Sequence, residues 1–175
     1  MVLKGWLKVY KLNLELTKEL YDDVEIRQMV KIKDCYYNQY QVCNFSRLRE
    51  KYRNGELKVA LSYVDIGLGI WIRHCVTVTD NNEVIDLTYM AGRSMKGENR
   101  QYDIVKVFDY EEYNSLIEQA YDEKEENYRC DFPELEEEYH FYKSRKNKDM
   151  FYQVNEYDFM YYIIPLLREY EKIKC

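Results

Sequence analysis

Three side chains of the sequence could together perform nucleophilic chemistry, namely Cys35, His74 and Asp86. A cysteine thiolate paired with a protonated histidine is a strong nucleophile near neutral pH. A carboxylate that accepts a hydrogen bond from the same imidazole fixes its orientation and stabilises its charged form. The only other histidine of the chain, His140, lies in a charged helical stretch and is predicted to be on the surface.

The stretch RHCVTVTDNNEVIDLTY at 73–89 predicts a β-hairpin. If its turn is at 80–82, His74 and Asp86 share one face of the ribbon as diagonal neighbours. Their Cβ atoms would then be roughly 7–8 Å apart, within reach of an imidazole-to-carboxylate hydrogen bond. A turn shorter by one residue would change this pairing.

Cys35 is predicted to open a helix. Asp34 is a suitable N-cap, and the following CYYNQYQVCNFSRLREKY has near-helical apolar spacing until Asn54-Gly55 ends it. The sulfur would lie at the positive end of the helix dipole, where backbone N–H groups stabilise a thiolate or an oxyanion. The neighbouring Asp34 carboxylate opposes thiolate formation by its charge.

Three stretches carry a resemblance to a known superfamily: CYYN at 35–38, YRNGELKVALSYV at 52–64, and the hairpin at 73–89. Their order and spacing resemble the papain-like and transglutaminase-like cysteine hydrolases. In those proteins a cysteine opens the central helix, a histidine begins a later strand, and an aspartate or asparagine lies on the next strand. Asp86-Leu87-Thr88 is similar to the D-x-T that often closes the transglutaminase-like core.

This resemblance implies a catalytic triad in which Cys35 is the nucleophile, His74 the general base and Asp86 the orienting acid. The implied activity is that of a thiol hydrolase or acyl transferase acting on amide bonds, as a thiol protease, a deamidase or a transglutaminase-like enzyme. No metal or organic cofactor is needed, and the substrate is expected to be a protein or peptide. Asn38, one helical turn beyond the cysteine, and Trp71, near the histidine, are expected to line the substrate site.

The sequence departs from the superfamily pattern at two points, and the first of them favours an alternative function. No glutamine lies at the upstream spacing at which papain supplies an oxyanion donor, since the nearest, Gln28, fits poorly. Tyr36 stands after the cysteine where tryptophan is common. The alternative is a non-catalytic protein on the same scaffold that binds or inhibits a protein partner through its acidic, tyrosine-rich surface, including residues 122–138.

Other residues remain open as members of the site. Cys43 could replace Cys35 as the nucleophile, although it lies further along the predicted helix, where burial is expected. Asp65, near the end of the preceding strand, could replace Asp86. Cys75 follows the histidine and must point to the opposite face of its strand, so it is predicted to be in the core.

Composition narrows the possible functions. The five cysteines include no CxxC pair, which argues against a disulfide framework or a zinc site and favours a reducing, cytoplasmic setting. The net charge of −6 makes this an acidic protein that disfavours nucleic-acid binding. The apolar runs fall well short of the roughly 20 residues of a membrane span, and the N-terminal stretch does not resemble a signal peptide.

The remaining pattern predicts an α+β fold in one domain over 1–175. An antiparallel sheet is expected to pack against a central N-terminal helix carrying Cys35, as in a papain/transglutaminase-like core at about 17–108, with additional C-terminal helices over 109–175. The predicted strands lie at 6–16, 56–67, 70–79, 83–89 and 102–108, and the predicted helices at 17–32, 35–52, 109–128, 134–146 and 155–173.

Overall fold

The computed structural model describes residues 9–65, 71–92 and 100–122, together with Leu135. The elements in these ranges are β1 (Val9–Leu12), α1 (Leu14–Asp22), α2 (Val24–Met29), α3 (Cys35–Phe45), α4 (Arg49–Arg53), β2 (Leu57–Asp65), β3 (Trp71–Thr79), β4 (Glu83–Ile85), α5 (Leu87–Gly92), β5 (Gln101–Phe108) and α6 (Tyr110–Asp122).

The five strands form a closed barrel in the order β1-β4-β3-β2-β5. β2 pairs antiparallel with β3 along all of both strands, and antiparallel with β5 on its other edge. β1 closes the barrel, because it pairs antiparallel with β5 and parallel with β4. The four-residue β1 therefore completes the ring of strands in the described part of the chain.

Two apolar clusters form the core of the described residues, one on each side of the barrel wall. The first draws on all five strands and on no helix, and so forms the barrel interior; its buried members are Tyr10, Ala60, Val64, Val76, Val78, Val84, Tyr102 and Ile104. The second lies between the barrel and the helices and includes Val42 of α3, Leu61 of β2 and Cys75 of β3. Neighbouring residues of a strand face opposite sides, which is why Cys75 and Val76 belong to different clusters.

The start of the described chain differs from the prediction. Alternating leucines predict a strand over 6–16, yet β1 ends at Leu12, and Leu14 and Leu16 lie in α1. The reason is the intervening Asn13, whose side-chain oxygen accepts a hydrogen bond of 2.9 Å from the Leu16 backbone N–H and caps the helix.

Both predicted N-terminal helices are interrupted by a capping side chain. Asp23 accepts hydrogen bonds from the backbone N–H groups of the next helical turn, at 2.9 and 3.2 Å, and so separates α1 from α2. The Ser46 hydroxyl donates to the Val42 carbonyl at 2.6 Å and accepts from the Leu48 N–H at 3.1 Å, which ends α3 before α4 begins. The predicted stop at Asn54-Gly55 is confirmed, with Gly55 at a φ of 83°.

The predicted strands in the middle of the chain are confirmed as β2, β3 and β5. The hairpin between β3 and β4 has the predicted register, with Val78 opposite Val84 and with Asn82 in the left-handed region at a φ of 59°. Its second strand is shorter than predicted, because Asp86 leaves the ladder and its carboxylate caps the following helix, α5.

The predicted helix at 109–128 corresponds to α6 where the chain is described. The helices predicted at 134–146 and 155–173 lie outside the described residues, apart from Leu135, which has no helical structure. None of the helices in the described part of the chain combines the length and the apolar character needed to cross a bilayer.

The predicted papain/transglutaminase-like architecture is wrong. The sheet is a closed, mixed five-stranded barrel with helices outside it, rather than an antiparallel sheet packed against a central helix. The difference arises from β1, which joins two strands far along the chain and pairs with one of them in parallel. Local sequence patterns report periodicity within a segment but not its distant pairing partners.

Candidate functional site

Cys35 lies at the first position of the eleven-residue α3 and is 1% exposed. Asp34 occupies the N-cap position before it, but the Asp34 carboxylate makes no capping hydrogen bond. The Cys35 side chain is hydrogen-bonded to the imidazole of His74. The predicted nucleophile and base are thus in contact, and the sulfur lies at the positive end of a helix dipole.

His74 lies on β3, in the part of that strand that extends past its pairing with β4. It is 6% exposed. On the other side β3 pairs with β2, where Ser62 lies opposite His74 and follows a bulge in the β2–β5 ladder. The Ser62 hydroxyl donates to the His74 carbonyl at 3.0 Å, so the backbone that carries the imidazole is held from the β2 side.

Asp86 receives three hydrogen bonds. Its Oδ2 lies 2.9 Å from Nε2 of His74 and accepts a second hydrogen bond from the Tyr102 hydroxyl at 2.8 Å. Its Oδ1 accepts from the Tyr89 backbone N–H at 2.9 Å, and the residue is 1% exposed. An ionised carboxylate can only accept, so Nε2 is the donor and Nδ1 is left to face the Cys35 sulfur.

Contacts within the cluster shift the pKa values of His74 and Asp86. Burial lowers the pKa of His74, but the charges of Asp86 and Cys35 and the hydrogen bonds to both outweigh burial and raise it well above its ordinary value. Burial also works against ionisation of Asp86, yet the His74 charge and the three hydrogen bonds lower the pKa of its carboxyl. The contacts with Cys35 and Asp86 therefore favour the protonated form of the His74 imidazole.

Tyr36, directly after the cysteine, borders the same cluster. Its hydroxyl accepts a hydrogen bond of 3.2 Å from the Arg73 guanidinium, which also lies over the tyrosine ring. The pKa of Tyr36 is raised well above its ordinary value, first by loss of water around the hydroxyl and then by the negative charge of Cys35. A phenol that stays protonated beside the sulfur adds a polar group to the site.

Asn38, predicted to contact substrate, has its amide bonded to protein. Its Oδ1 accepts from the Lys31 backbone N–H at 2.8 Å, and its Nδ2 donates to the Lys31 carbonyl at 2.6 Å and to the Thr88 hydroxyl at 2.9 Å. These bonds tie the loop before Cys35 to α5. Asn38 therefore helps to place the cysteine near Asp86, and its contact with a substrate stays a prediction.

A second polar cluster, the polar ring, joins α3 to β3 one helical turn beyond the cysteine and consists of Gln39, Tyr52 and Thr77. The Gln39 amide donates to the Tyr52 hydroxyl at 3.0 Å, and the Thr77 hydroxyl donates to the Gln39 carbonyl at 3.1 Å. The Tyr52 hydroxyl bonds to Thr77 and closes the ring. All three side chains are buried, so the ring fixes how α3 lies on β3.

The other residues considered for the site lie as follows. Cys43 is buried in the cluster between barrel and helices, and burial raises the pKa of its thiol to about 12. The predicted burial of Cys75 is confirmed. Trp71 and Asp65 form the last backbone pair of the β2–β3 ladder, and their side chains are not among those that the structure describes. Gln28 is exposed on α2.

Sequence reasoning missed Tyr102. Tyr102 and Ile104 lie two residues apart on β5 and so face the same side of the sheet. This pattern predicts a core side chain, and Tyr102 does lie in the barrel interior. Nothing local indicates that its hydroxyl meets a carboxylate on a different element. His140 lies outside the described residues.

No group of three or more histidine, cysteine or acidic side chains that could hold a metal ion occurs within the ranges described. Comparison with models of known families, with curated proteins and with solved structures found no match. The candidate function of the site therefore rests on its own chemistry, which is that of a thiol and an imidazole in contact, with a buried carboxylate behind them.

Proposed function

We propose that the protein is a cysteine-nucleophile hydrolase or acyl transferase acting on amide bonds of a protein or peptide. One observation carries the proposal: the His74 ring contacts the Cys35 thiol and the buried Asp86 carboxylate at the same time. In chemistry, though not in fold, this is similar to the papain-like and transglutaminase-like hydrolases.

In the acylation step the proton of the Cys35 thiol passes to Nδ1 of His74, leaving a thiolate beside an imidazolium. The sulfur attacks the amide carbonyl carbon, and the oxyanion forms near the positive end of α3. His74 then donates its proton to the leaving nitrogen as the C–N bond breaks. The products of this half-reaction are a free amine or ammonia and a thioester on Cys35.

In the second step an acceptor attacks the thioester. His74, again neutral, removes the proton from a water molecule or an amine as the acceptor bonds to the acyl carbon, and the sulfur leaves and regains its proton. Water completes hydrolysis or deamidation, whereas an amine completes transfer or cross-linking. Asp86 remains ionised throughout and stabilises each imidazolium that forms.

Alkylation with iodoacetamide at pH 6, followed by mass mapping of all five cysteines, tests this proposal. Cys35 should be modified first, because an ordinary thiol with a pKa of about 8.5 is almost entirely protonated at that pH. His74→Ala should slow the modification by at least about tenfold. Cys43→Ala is the matched control, since Cys43 is a buried thiol on the same helix and its removal should leave the rate unchanged.

The acyl intermediate can be sought with p-nitrophenyl acetate as a general acyl donor. A burst of nitrophenolate together with one acetyl group on Cys35 is expected for the native chain, and neither for Cys35→Ala. Modification of Cys35 only after denaturation, or equal rates in the native chain and His74→Ala, would reject the proposal.

One observation favours the second candidate, a non-catalytic protein that binds a partner through its acidic, tyrosine-rich surface. Cys35 is only 1% exposed, so the thiol is barely open to solvent. In that case the cluster would act as a buried polar support and Cys35→Ala would retain binding to the partner. Charge reversals within 122–138, a stretch in which the structure describes only Asp122 and Leu135, would abolish it.

A further inference from the structure

The Asp86 carboxylate has a third partner besides His74 and the Tyr89 backbone N–H. Tyr102 lies on β5, on the far side of the barrel wall from α3, and its hydroxyl reaches Oδ2 of Asp86 at 2.8 Å. The same oxygen accepts from His74 Nε2 at 2.9 Å. The tyrosine and the histidine therefore approach one carboxylate oxygen together.

We propose that Tyr102 is a positioning residue of the site, which holds the Asp86 carboxylate in the orientation that accepts from His74. A role of Tyr102 in catalysis rests on the proposed function. The carboxylate can turn about its Cβ–Cγ bond. Three donors, one each from β3, β5 and the first turn of α5, fix its orientation. Of these, only the Tyr102 hydroxyl is a side-chain donor that does not itself take part in the proposed proton transfers.

The surroundings of Tyr102 keep its hydroxyl a donor. Its side chain is fully buried among the residues of the barrel interior. The pKa of Tyr102 is raised well above its ordinary value, by burial first and by the Asp86 charge second. Because the hydroxyl stays protonated, it keeps a proton to donate to the carboxylate. It therefore acts on Asp86 as a donor, as His74 does.

Arg100 extends the same chain of contacts outward. Its guanidinium is hydrogen-bonded to Tyr102 and lies over the Tyr89 ring, 4.3 Å from the centroid. Tyr89 in turn supplies the backbone N–H that binds the other carboxylate oxygen. A hydrogen-bonded series therefore runs from Arg100 through Tyr102 and Asp86 to His74, and ends at Cys35.

The test compares Tyr102→Phe, which removes only the hydroxyl, with Tyr52→Phe. The control removes an equally buried, hydrogen-bonded tyrosine hydroxyl that does not contact Asp86. For Tyr102→Phe we expect iodoacetamide modification of Cys35 at pH 6 to fall by roughly tenfold, with its acid limb moved to higher pH. For Tyr52→Phe the pH profile should superimpose on that of the native chain.

A second readout does not depend on whether Cys35 reacts. The chain has two histidines, so an NMR titration resolves His74 against His140 as an internal reference. Tyr102→Phe should lower the midpoint of His74, because a loosely held carboxylate stabilises the imidazolium less. An unchanged midpoint would overturn the positioning role. A raised midpoint would overturn it too, because it would mean that the Tyr102 hydrogen bond mainly weakens the attraction between Asp86 and the imidazolium.

Failures of the two proposals are distinguishable. If native Cys35 is unreactive but the His74 midpoint falls in Tyr102→Phe, the enzymatic proposal fails and the positioning role stands. If native Cys35 is reactive and Tyr102→Phe matches it in both readouts, only the positioning role fails. Should Tyr102→Phe not fold, Arg100→Met removes the outer contact of Tyr102 and is expected to shift both readouts in the same direction by less.

Discussion

Helix α3 meets strand β3 through two buried polar clusters that differ in kind. The polar ring of Gln39, Tyr52 and Thr77 contains neutral groups, and each of its three members donates to one neighbour and accepts from the other. The second cluster, here the ionisable chain of Cys35, His74, Asp86 and Tyr102, contains groups whose charges depend on one another.

The neutral ring can support the structure, whereas the ionisable chain can also transfer a proton. A closed ring of neutral hydrogen bonds has one favourable arrangement at any ordinary pH, so it can only hold α3 on β3. In the ionisable chain a proton moved from the thiol to the imidazole leaves two new charges, and both have partners in place. The two clusters share α3 and β3, with Cys35 and Gln39 one helical turn apart. The ring therefore helps to hold the two elements together without itself carrying a charge.

The largest expected effect is on the ionisable chain. Asp86→Ala removes the carboxylate partner of a buried imidazole and the cap of α5, and should lower the free energy of unfolding at pH 6 by about 3–5 kcal/mol. Denaturant unfolding measures this change. Asp86→Asn, which keeps the shape and one acceptor oxygen, should cost less. Equal stability of the alanine variant and the native chain would mean that the buried pair does not form.

The next effect distinguishes the clusters by pH. The pKa of Asp86 is lowered from 3.8 in the folded chain, so its ionisation contributes stability that is present above that value and is lost as the pH falls through the folded-state pKa. The cost of Asp86→Asn should therefore shrink by up to about 1.4 kcal/mol per pH unit below about pH 4. The cost of Tyr52→Phe should not change over the same range, and parallel pH dependence in both variants would contradict the distinction.

The third effect is on the polar ring itself, and it is smaller than the loss expected for Asp86→Ala. Tyr52→Phe opens the ring and leaves the Gln39 amide and the Thr77 hydroxyl each short of one partner, which should cost about 1–3 kcal/mol of unfolding free energy. Thr77→Val, which also removes one hydroxyl, serves as a second break in the same ring. The double variant should cost less than the sum of the two, because the ring is already open after the first change. Strict additivity would show that the three side chains do not act as one network.

The sequence alone predicts contacts between residues that are close together along the chain. The register of the hairpin follows from its turn, and it correctly brings His74 to Asp86; the N-cap and apolar period correctly start a helix at Cys35. Barrel closure was not predictable in the same way, because β1 is four residues long and pairs with distant strands. Tyr102 reaches Asp86 only as a result of that closure, so an ordinary strand tyrosine gives no sign of the contact.

The most direct measurement of the coupling between sulfur, imidazole and carboxylate is an NMR titration of His74 in the native chain and in Cys35→Ala. Negative charge and a hydrogen bond from Cys35 raise the pKa of His74. His74 should therefore remain protonated above its ordinary range in the native chain, and its midpoint should fall when the sulfur is removed. A midpoint that is the same in both proteins would show that Cys35 and His74 do not share a proton, and would contradict the proposed thiolate–imidazolium pair.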